Sequence, residues 1–391
     1  MVSVLAVVDS DSYLKWACST LDALDDGTGG ISARSVVIVR SPLAPTPPQV
    51  EAAVAGTAIA APIRTGPGGL RRVVARHVPD VVLVGATGPV SEMIARACAG
   101  AGVRPRPVLI SGLPGMALPA TDLGVAYRRW SDAFIVHSRA EAAAYRDRFT
   151  ARGAEPRIVL SRLPFLRDGE AAGKVRRVVF APQSIVPAVR QQRLAVLAGL
   201  ADVAAAGYEV VIKLRARAGE RQTHNENHPY EVLWRAEHHR LGHPHAALRF
   251  VDGPMHTWLT PDAALVTVSS TAALESLALG LPTVLVSDFG IAEELLNEPF
   301  AGSGCLAPLV DVPDLLARGG PRPDPDWLEQ NYLHTAPSEL PRAVAELAAA
   351  RRAGALPTRD LRPISRVGHL RTQLRSLLPV GLSKRLARPA R

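Results

Sequence analysis

Residues 262–290 read DAALVTVSSTAALESLALGLPTVLVSDFG, and this stretch decides the fold class. Residues 263–268 form a short apolar run rich in β-formers, which the small hydroxyl residues 269–271 interrupt. Residues 272–279 have the Ala, Leu and Glu content of a helix, and a Gly-Leu-Pro turn follows before a second apolar run. The stretch therefore predicts a strand, a helix and a second strand, the repeating unit of an α/β protein with a parallel sheet.

The hydroxyl residues Ser269, Ser270 and Thr271 fall at the predicted start of the helix. Free backbone N–H groups and the positive end of the helix dipole meet there, so the turn favours an anion such as a phosphate. Glu275 follows one helical turn later and could accept hydrogen bonds from a ribose, as acidic residues do in dinucleotide folds. The alternative interpretation is that Ser269 only caps the helix and Glu275 is a solvated surface residue.

The run SSTAALESLALGLPTVLV, residues 269–286, resembles the donor-nucleotide segment of GT-B glycosyltransferases. It is most similar to two groups, the bacterial capsule-polysaccharide and polysialyltransferase-like enzymes and the CDP-glycerol-type phosphotransferases. Both groups have a paired-Ser turn and an upstream His-Pro dipeptide, which is present here as His228-Pro229. The resemblance implies that His228, Ser269 and Ser270 hold the donor phosphates.

The spacing before His228 departs from the family pattern, because a polar insert rich in Arg separates it from the predicted strand 209–214. His224, within the insert, is an alternative to His228. Positive charge near the donor would stabilise a departing phosphate in place of a metal ion. The basic residues at the end of this strand and after it are Lys213, Arg215, Arg217 and Arg221.

Strands and helices alternate along the rest of the chain, with predicted strands at 2–8, 35–39, 80–84, 107–110 and 133–136 and a restart at 177–180. The resemblance implies a GT-B fold: two Rossmann-like parallel-sheet domains facing a cleft. The predicted organisation is an N-terminal acceptor domain (1–168), a nucleotide-donor domain (169–337), a closing helix (338–356) and a basic amphipathic tail (357–391).

The catalytic base is not identified by the sequence, and Asp9, Asp11 and His137 are the candidates. Asp9-Ser10-Asp11 matches the D-x-D of metal-dependent transferases, but so short a pattern is common by chance. GT-B enzymes generally work without a metal, so we expect no metal site and no cofactor beyond a nucleotide-activated sugar as co-substrate.

A second loop, Ser111, Gly112, Leu113, Pro114 and Gly115, follows a strand of the first domain. CDP-glycerol-type enzymes have a similar His-Gly-x-Pro turn there, which implies an acceptor loop. Here Ser stands in place of the His.

The chain has 391 residues, 47% of them hydrophobic, which is enough for two sizeable cores. The net charge is +9, but residues 351–391 hold eleven basic residues and one acidic residue, so residues 1–350 sum to −1. A nucleic-acid-binding body is therefore not indicated. Three scattered cysteines, no long apolar run and no signal peptide predict a cytoplasmic protein.

The tail combines its charge with an apolar stripe at helical spacing. The stripe consists of Ile364, Val367, Leu370, Leu374, Leu377 and Leu378. Such a pattern suits a helix on an anionic bilayer, at the inner face of the plasma membrane, or a final helix followed by a solvated basic end.

The sequence predicts a glycosyltransferase that moves a sugar from a nucleotide-activated donor to a cell-surface glycan or a lipid-linked glycoconjugate acceptor. A polyol-phosphate transferase is the first alternative, because its donor also presents a nucleoside diphosphate to the turn. UDP-sugar 2-epimerases share the fold, but the chain offers no plain set of carboxylates for their proton transfers. A catalytically inactive GT-B module that binds a partner is the alternative outside enzymology.

Overall fold

A computed structural model describes residues 1–24, 30–171, 173–214 and 226–358. The chain divides into two compact units. The first contains Met1–Phe165 together with Thr335–Arg391, and the second contains Leu166–His334. The predicted boundaries lie three residues further along the chain at each junction.

The first unit is built on a seven-stranded sheet in which every neighbouring pair is parallel. Its strand order is β3-β2-β1-β4-β5-β6-β7, so the order reverses between β1 and β4. The strands are β1 (Val2–Val8), β2 (Ile31–Val39), β3 (Ile63–Thr65), β4 (Val81–Gly85), β5 (Val108–Ser111), β6 (Ala133–Val136) and β7 (Arg157–Leu160). The helices are α1 (Asp11–Ala23), α2 (Pro47–Val54), α3 (Leu70–His77), α4 (Gly88–Gly100), α5 (Asp122–Ala126) and α6 (Arg139–Ala151).

Both faces of this sheet are buried, because successive side chains of a strand point to opposite faces. Val4 and Val8 of β1 belong to the core that also contains Trp16 of α1. Leu5 and Val7 belong to the core on the other face, with residues of α3 and α4. Central strands that are apolar on both faces explain the near-continuous hydrophobic runs in the sequence.

The second unit has a six-stranded, all-parallel sheet of order β10-β9-β8-β11-β12-β13, which reverses between β8 and β11. The strands are β8 (Arg177–Phe180), β9 (Glu209–Lys213), β10 (Arg249–Val251), β11 (Ala263–Thr267), β12 (Thr283–Val286) and β13 (Leu306–Ala307). The helices are α7 (Arg190–Ala205), α8 (Tyr230–Glu237), α9 (Ala272–Ala278), α10 (Val312–Ala317) and α11 (Pro325–Gln330). Residues 262–290 form the predicted strand, helix and strand.

The chain returns to the first unit through α12 (Leu340–Arg352), a helix within the predicted segment 338–356. Leu340, Val344 and Ala348 of this helix are buried in the same core as β1 and α1. Residues 359–391, which hold the predicted amphipathic stripe, lie outside the described residues.

Candidate functional site

The Ser-Ser-Thr turn follows the last residue of β11, beside the point where the second sheet reverses its strand order. Ligands of open α/β sheets bind at the carboxyl ends of the strands at such a point. The Ser270 backbone N–H donates to Thr267 Oγ1 at 3.1 Å, and Thr267 Oγ1 donates to the carbonyl of Ala181 at 2.7 Å. The turn is thereby tied to the loop that follows β8.

Ser269 does not cap the helix. The N-cap of α9 is Thr271, without a side-chain cap hydrogen bond, and the Ser270 Oγ accepts from the Ala272 backbone N–H at 3.3 Å. Ser269 is 3% exposed, and its Oγ has no hydrogen-bond partner among the described residues. Because buried polar groups in proteins are almost always paired, this hydroxyl retains hydrogen-bonding capacity that the fold itself does not use.

The other predicted donor residues come from neighbouring elements of the same unit. Lys213 is the last residue of β9, and Glu275 lies in the first turn of α9; both side chains are partly exposed. Arg215 and Arg217 lie outside the described residues, as do Arg221 and His224.

His228 is half-buried and precedes Pro229, the N-cap residue of α8. Its backbone carbonyl accepts a hydrogen bond from Arg193 Nη1 at 2.9 Å. The segment is thus attached to α7, the helix that follows β8, despite the long insert before it in the sequence.

At the reversal point of the first sheet lies Asp9, which is fully buried. Its carboxylate accepts hydrogen bonds from the Thr87 backbone N–H, 3.2 Å from each oxygen, and from the Thr87 hydroxyl. Burial raises the pKa of Asp9 to about 6, although the Thr87 hydrogen bonds and the nearby Arg128 guanidinium oppose the shift. Arg128 itself donates to the Ala86 carbonyl at 2.8 Å and to the Tyr13 hydroxyl at 3.0 Å.

Asp11 is the first residue of α1, and its Oδ2 pairs with Lys15 Nζ at 3.0 Å. Its Oδ1 has no hydrogen-bond partner among the described residues. Asp9 and Asp11 have separate partners, Thr87 and Lys15. Within the described ranges, no group of three or more His, Cys, Asp or Glu side chains is arranged to hold a metal ion.

His137 is 1% exposed, and both of its ring nitrogens are engaged. Nδ1 lies 2.7 Å from the Ser161 carbonyl, and Trp16 Nε1 donates to Nε2 at 3.1 Å. Nε2 also lies 3.0 Å from the carbonyl of Leu113, so both ring nitrogens face protein groups. The contacts tie β6 to α1 and to the end of β7, which disfavours His137 as the base.

The predicted acceptor loop begins inside the protein. Ser111, at the end of β5, is 1% exposed, and its hydroxyl lies 2.6 Å from that of Ser131. A Cβ on Gly112 would lie 2.7 Å from the Trp16 ring, so only glycine fits at this position beside Trp16. Pro114 and Gly115 are partly exposed.

Thr87, Arg128 and Arg193 were missed from the sequence. Arg193 did carry a signal, because it shares a helical face with the apolar residues Leu197 and Leu200 and is itself 2% exposed. A charged residue at a core-facing position of a helix indicates a buried partner. Thr87 and Arg128 carried no comparable signal, since they meet Asp9 only through the folding of the sheet.

Two parallel sheets, each with a reversal of strand order, define a GT-B fold, and comparisons with known proteins agree. The family described as Putative glycosyltransferase (DUF6716) matches residues 4–347, and the chain belongs to this family of glycosyltransferases. No curated protein matches the chain significantly.

Several solved structures share the fold at low sequence identity. A UDP-N-acetylglucosamine 2-epimerase has a TM-score of 0.58 at 13% identity, over 92% of this chain and 98% of that chain. The UDP-GlcNAc 2-epimerase from Methanocaldococcus jannaschii, in complex with UDP-GlcNAc and UDP, has a TM-score of 0.55 at 10% identity, over 88% and 99%. The enzyme from Neisseria meningitidis bound to UDP-GlcNAc has a TM-score of 0.52 at 12% identity, over 90% and 98%. These likenesses concern the fold alone.

No helix among the described residues is long and apolar enough to cross a membrane.

Proposed function

We propose that this protein is a cytoplasmic glycosyltransferase that moves a sugar from a nucleotide-activated donor to a glycan or lipid-linked glycoconjugate of the cell surface. The observation that carries the proposal is the buried hydroxyl of Ser269, which has no partner among the described residues and lies at the reversal point of the second sheet. A phosphate oxygen is a strong acceptor for such a hydroxyl. The UDP-GlcNAc and UDP complexes of proteins with the same fold support a nucleotide sugar as the donor.

The residues after the first-sheet strands disfavour the epimerase alternative. Proton abstraction and return at a sugar carbon need positioned acid and base groups. The first residue after each of β4, β5 and β6 is Ala86, Gly112 and His137, respectively. None of these carries a carboxylate. Asp9, after β1, is fully buried and engaged by Thr87.

Among the candidate bases, we propose Asp11 for the acceptor hydroxyl, because its side chain reaches solvent. Its Oδ1 is a buried atom without a hydrogen-bond partner among the described residues. Its side chain is 17% exposed, whereas Asp9 is completely buried and the ring nitrogens of His137 are both engaged. The Lys213 ammonium and a ring N–H of His228 would stabilise the leaving phosphate without a metal.

The test is a calorimetric titration of the full chain with CMP, CDP, UDP, GDP and dTDP, each with and without EDTA. We expect one of these nucleotides to bind with a clear preference and EDTA to leave its affinity unchanged. Hydrolysis of the matching nucleotide sugar should likewise survive EDTA. A protein that binds none of the five would contradict the proposal, and a requirement for Mg²⁺ or Mn²⁺ would contradict the metal-free mechanism.

The alternatives separate in the same assay. Release of a nucleoside monophosphate from CDP-glycerol would indicate the polyol-phosphate transferase. Tight binding without turnover of any nucleotide sugar, on any acceptor, would indicate the inactive module.

For the ribose, we propose Glu275 as the hydrogen-bond acceptor. Glu275→Gln should therefore weaken the binding of the ribonucleotide more than that of its deoxy analogue, because only the ribonucleotide offers both hydroxyls. Isothermal titration of both nucleotides checks this, and equal losses for the two ligands would return Glu275 to the surface-residue interpretation.

A further inference from the structure

Arg193 is a buried cation beside the proposed donor site that the mechanism above does not use. It lies in the first turn of α7 and is 2% exposed. A guanidinium carries five N–H donors in a rigid fork, and each buried donor needs an acceptor. Arg193 meets this need with backbone carbonyls from two separate segments and with one carboxylate.

The first segment follows β8. Arg193 Nη2 donates to the carbonyl of Ser184 at 2.7 Å, and Nε donates to that of Pro187 at 2.8 Å. The second segment precedes α8: Nη1 donates to the carbonyl of His228 at 2.9 Å and pairs with the carboxylate of Glu226. One side chain therefore joins the loop after β8 to the backbone of the His-Pro dipeptide.

The aromatic residues under the guanidinium fix its plane. The Arg193 Cζ lies 4.7 Å from the centre of the Tyr230 ring, which is itself 5.4 Å from that of Phe180 at the end of β8. Burial raises the pKa of the Glu226 carboxyl, and the Arg193 charge opposes that shift. The cluster is thus a closely packed, charged unit inside the second domain.

The loop after β8 also connects to the Ser turn on its other side. Its first residue, Ala181, accepts the hydrogen bond from Thr267, which in turn accepts from the Ser270 backbone N–H. The His228 segment and the paired-Ser turn are therefore attached to the same loop, one through Arg193 and the other through Thr267.

We propose that Arg193 is the positioning residue of the donor site: it holds the His228 backbone in register with the Ser269–Ser270 turn, so that both contact the same donor phosphates. This inference rests on the proposed function. A simple ion pair with Glu226 would need only a positive charge. Alignment of the two segments needs the several N–H donors of a guanidinium, which reach carbonyls of both segments at once. Lysine preserves the charge but cannot donate to all of these carbonyls at once.

The experiment compares Arg193→Lys with Arg190→Lys. Arg190 lies on the same helix and pairs with a carboxylate, Glu237, but within the described ranges no side-chain hydrogen bond or ion pair joins it to either loop. Backbone hydrogen exchange of the apo protein measures the order of residues 184–187 and 226–230. Calorimetric titration with the nucleotide that the wild type prefers among CMP, CDP, UDP, GDP and dTDP measures nucleotide affinity. Both substitutions are repeated in a His228→Ala background.

We expect Arg193→Lys to speed hydrogen exchange in both segments. It should also weaken binding of the preferred nucleotide about tenfold or more, because small displacements of binding groups have effects of that size. In the His228→Ala background, the same substitution should add little further loss, because its effect on binding passes through His228. Arg190→Lys should change neither measurement.

Three outcomes would overturn the proposal. Faster exchange with unchanged affinity would make Arg193 a structural residue only, while leaving the proposed function intact. Losses that add fully in the His228→Ala background would show that Arg193 does not act through His228. A wild-type protein that binds none of CMP, CDP, UDP, GDP and dTDP would instead remove the donor site and the proposed function together.

Discussion

At the scale of single residues, the two buried polar side chains Ser269 and Asp9 differ in whether the fold supplies a hydrogen-bond partner. Ser269 is buried with its hydroxyl unpaired among the described residues, so its polarity is not required by the fold. Asp9 is buried with its carboxylate paired to Thr87, so its charge state is set by the fold. The first residue is therefore expected to affect binding, and the second stability and its pH dependence.

Replacing Ser269 and Ser270 together by Ala should weaken nucleotide binding and leave the melting temperature of the apo protein almost unchanged. Ser269 loses no partner among the described residues, and Ser270 loses one hydrogen bond, from the Ala272 backbone N–H, worth ~1 kcal/mol. Ser276→Ala is the matched control, because the Ser276 hydroxyl accepts from Thr283 at 2.8 Å inside the core. It should lower the melting temperature but not the affinity. The opposite pattern would remove the phosphate site from this turn.

The free energy of unfolding should depend on pH through Asp9. Its pKa in the folded protein is raised to about 6 from 3.8, so the folded state binds the proton more tightly. This contribution is fully present below pH ~4 and is lost as the pH rises through 6, a change of about 3 kcal/mol. In Asp9→Asn that loss should be absent.

Denaturant unfolding of the Asp9 variant and the wild type at pH 4, 5, 6 and 7 measures the difference. Thr87→Val serves as the second variant, because removing a hydrogen bond to the carboxylate raises the Asp9 pKa further and enlarges the fall. A constant difference between Asp9→Asn and wild type across this range would show that Asp9 does not titrate there.

At the scale of elements, the sequence predicted the central strands and missed the edge strands. The strands not predicted were β3, β7, β10 and β13, and these are the edges of the two sheets. Central strands are buried on both faces and appear as continuous apolar runs. Edge strands here have only two to four residues, which is too short for a periodic pattern to develop.

The helix α12 contains an ion pair that could not be predicted from the sequence. Arg351 Nη1 lies 2.8 Å from Asp80 Oδ1, and Asp80 Oδ2 also accepts from the backbone N–H of Ser3 at 2.9 Å. The pair joins residues 271 positions apart in the chain, and its side chains are 8% and 17% exposed. The sequence showed a basic helix end but not its partner.

Arg351→Ala should therefore lower the free energy of unfolding of the first unit by about 3 kcal/mol, because it leaves the Asp80 carboxylate without its cation in a largely buried place. Arg352→Ala, at the exposed neighbouring position, should change it by less than ~0.5 kcal/mol. Thermal unfolding of the two variants checks the difference. Equal effects would mean that the pair with Asp80 contributes nothing specific.

At the scale of the whole molecule, charge is distributed unevenly between the body and the tail. Residues 1–350 sum to −1, whereas residues 351–391 carry +10. Lipid-linked acceptors lie at membranes, so an electrostatic attachment of the tail would bring the enzyme to its acceptor. The tail beyond residue 358 is outside the described residues, and its role stays a prediction.

The full chain should sediment with vesicles that contain phosphatidylglycerol, and truncation after Thr358 should abolish this. This end point keeps the carbonyl of Pro357, which accepts from Arg106 at 2.8 Å. Binding should fall as the salt is raised through physiological strength, where the screening length is ~8 Å. Leu374→Gln, Leu377→Gln and Leu378→Gln together keep the charge and remove the stripe, and should weaken binding if the tail lies as an amphipathic helix. Equal sedimentation of full-length and truncated protein would exclude an anchor.

Local periodicity and local turn chemistry were enough to predict the fold class, the two-unit organisation in outline and the position of the Ser-Ser-Thr turn between a strand and a helix. The sequence also selected Ser269, since a hydroxyl run between a strand and a helix is a local signal. Only the tertiary structure shows that the Ser269 hydroxyl has no partner among the described residues, that Thr87 donates to Asp9 and that Arg193 joins the His228 segment to the loop after β8. These are contacts between residues distant in the chain, and only the packing of parallel strands, whose carboxyl ends meet at one edge, brings them within hydrogen-bonding distance.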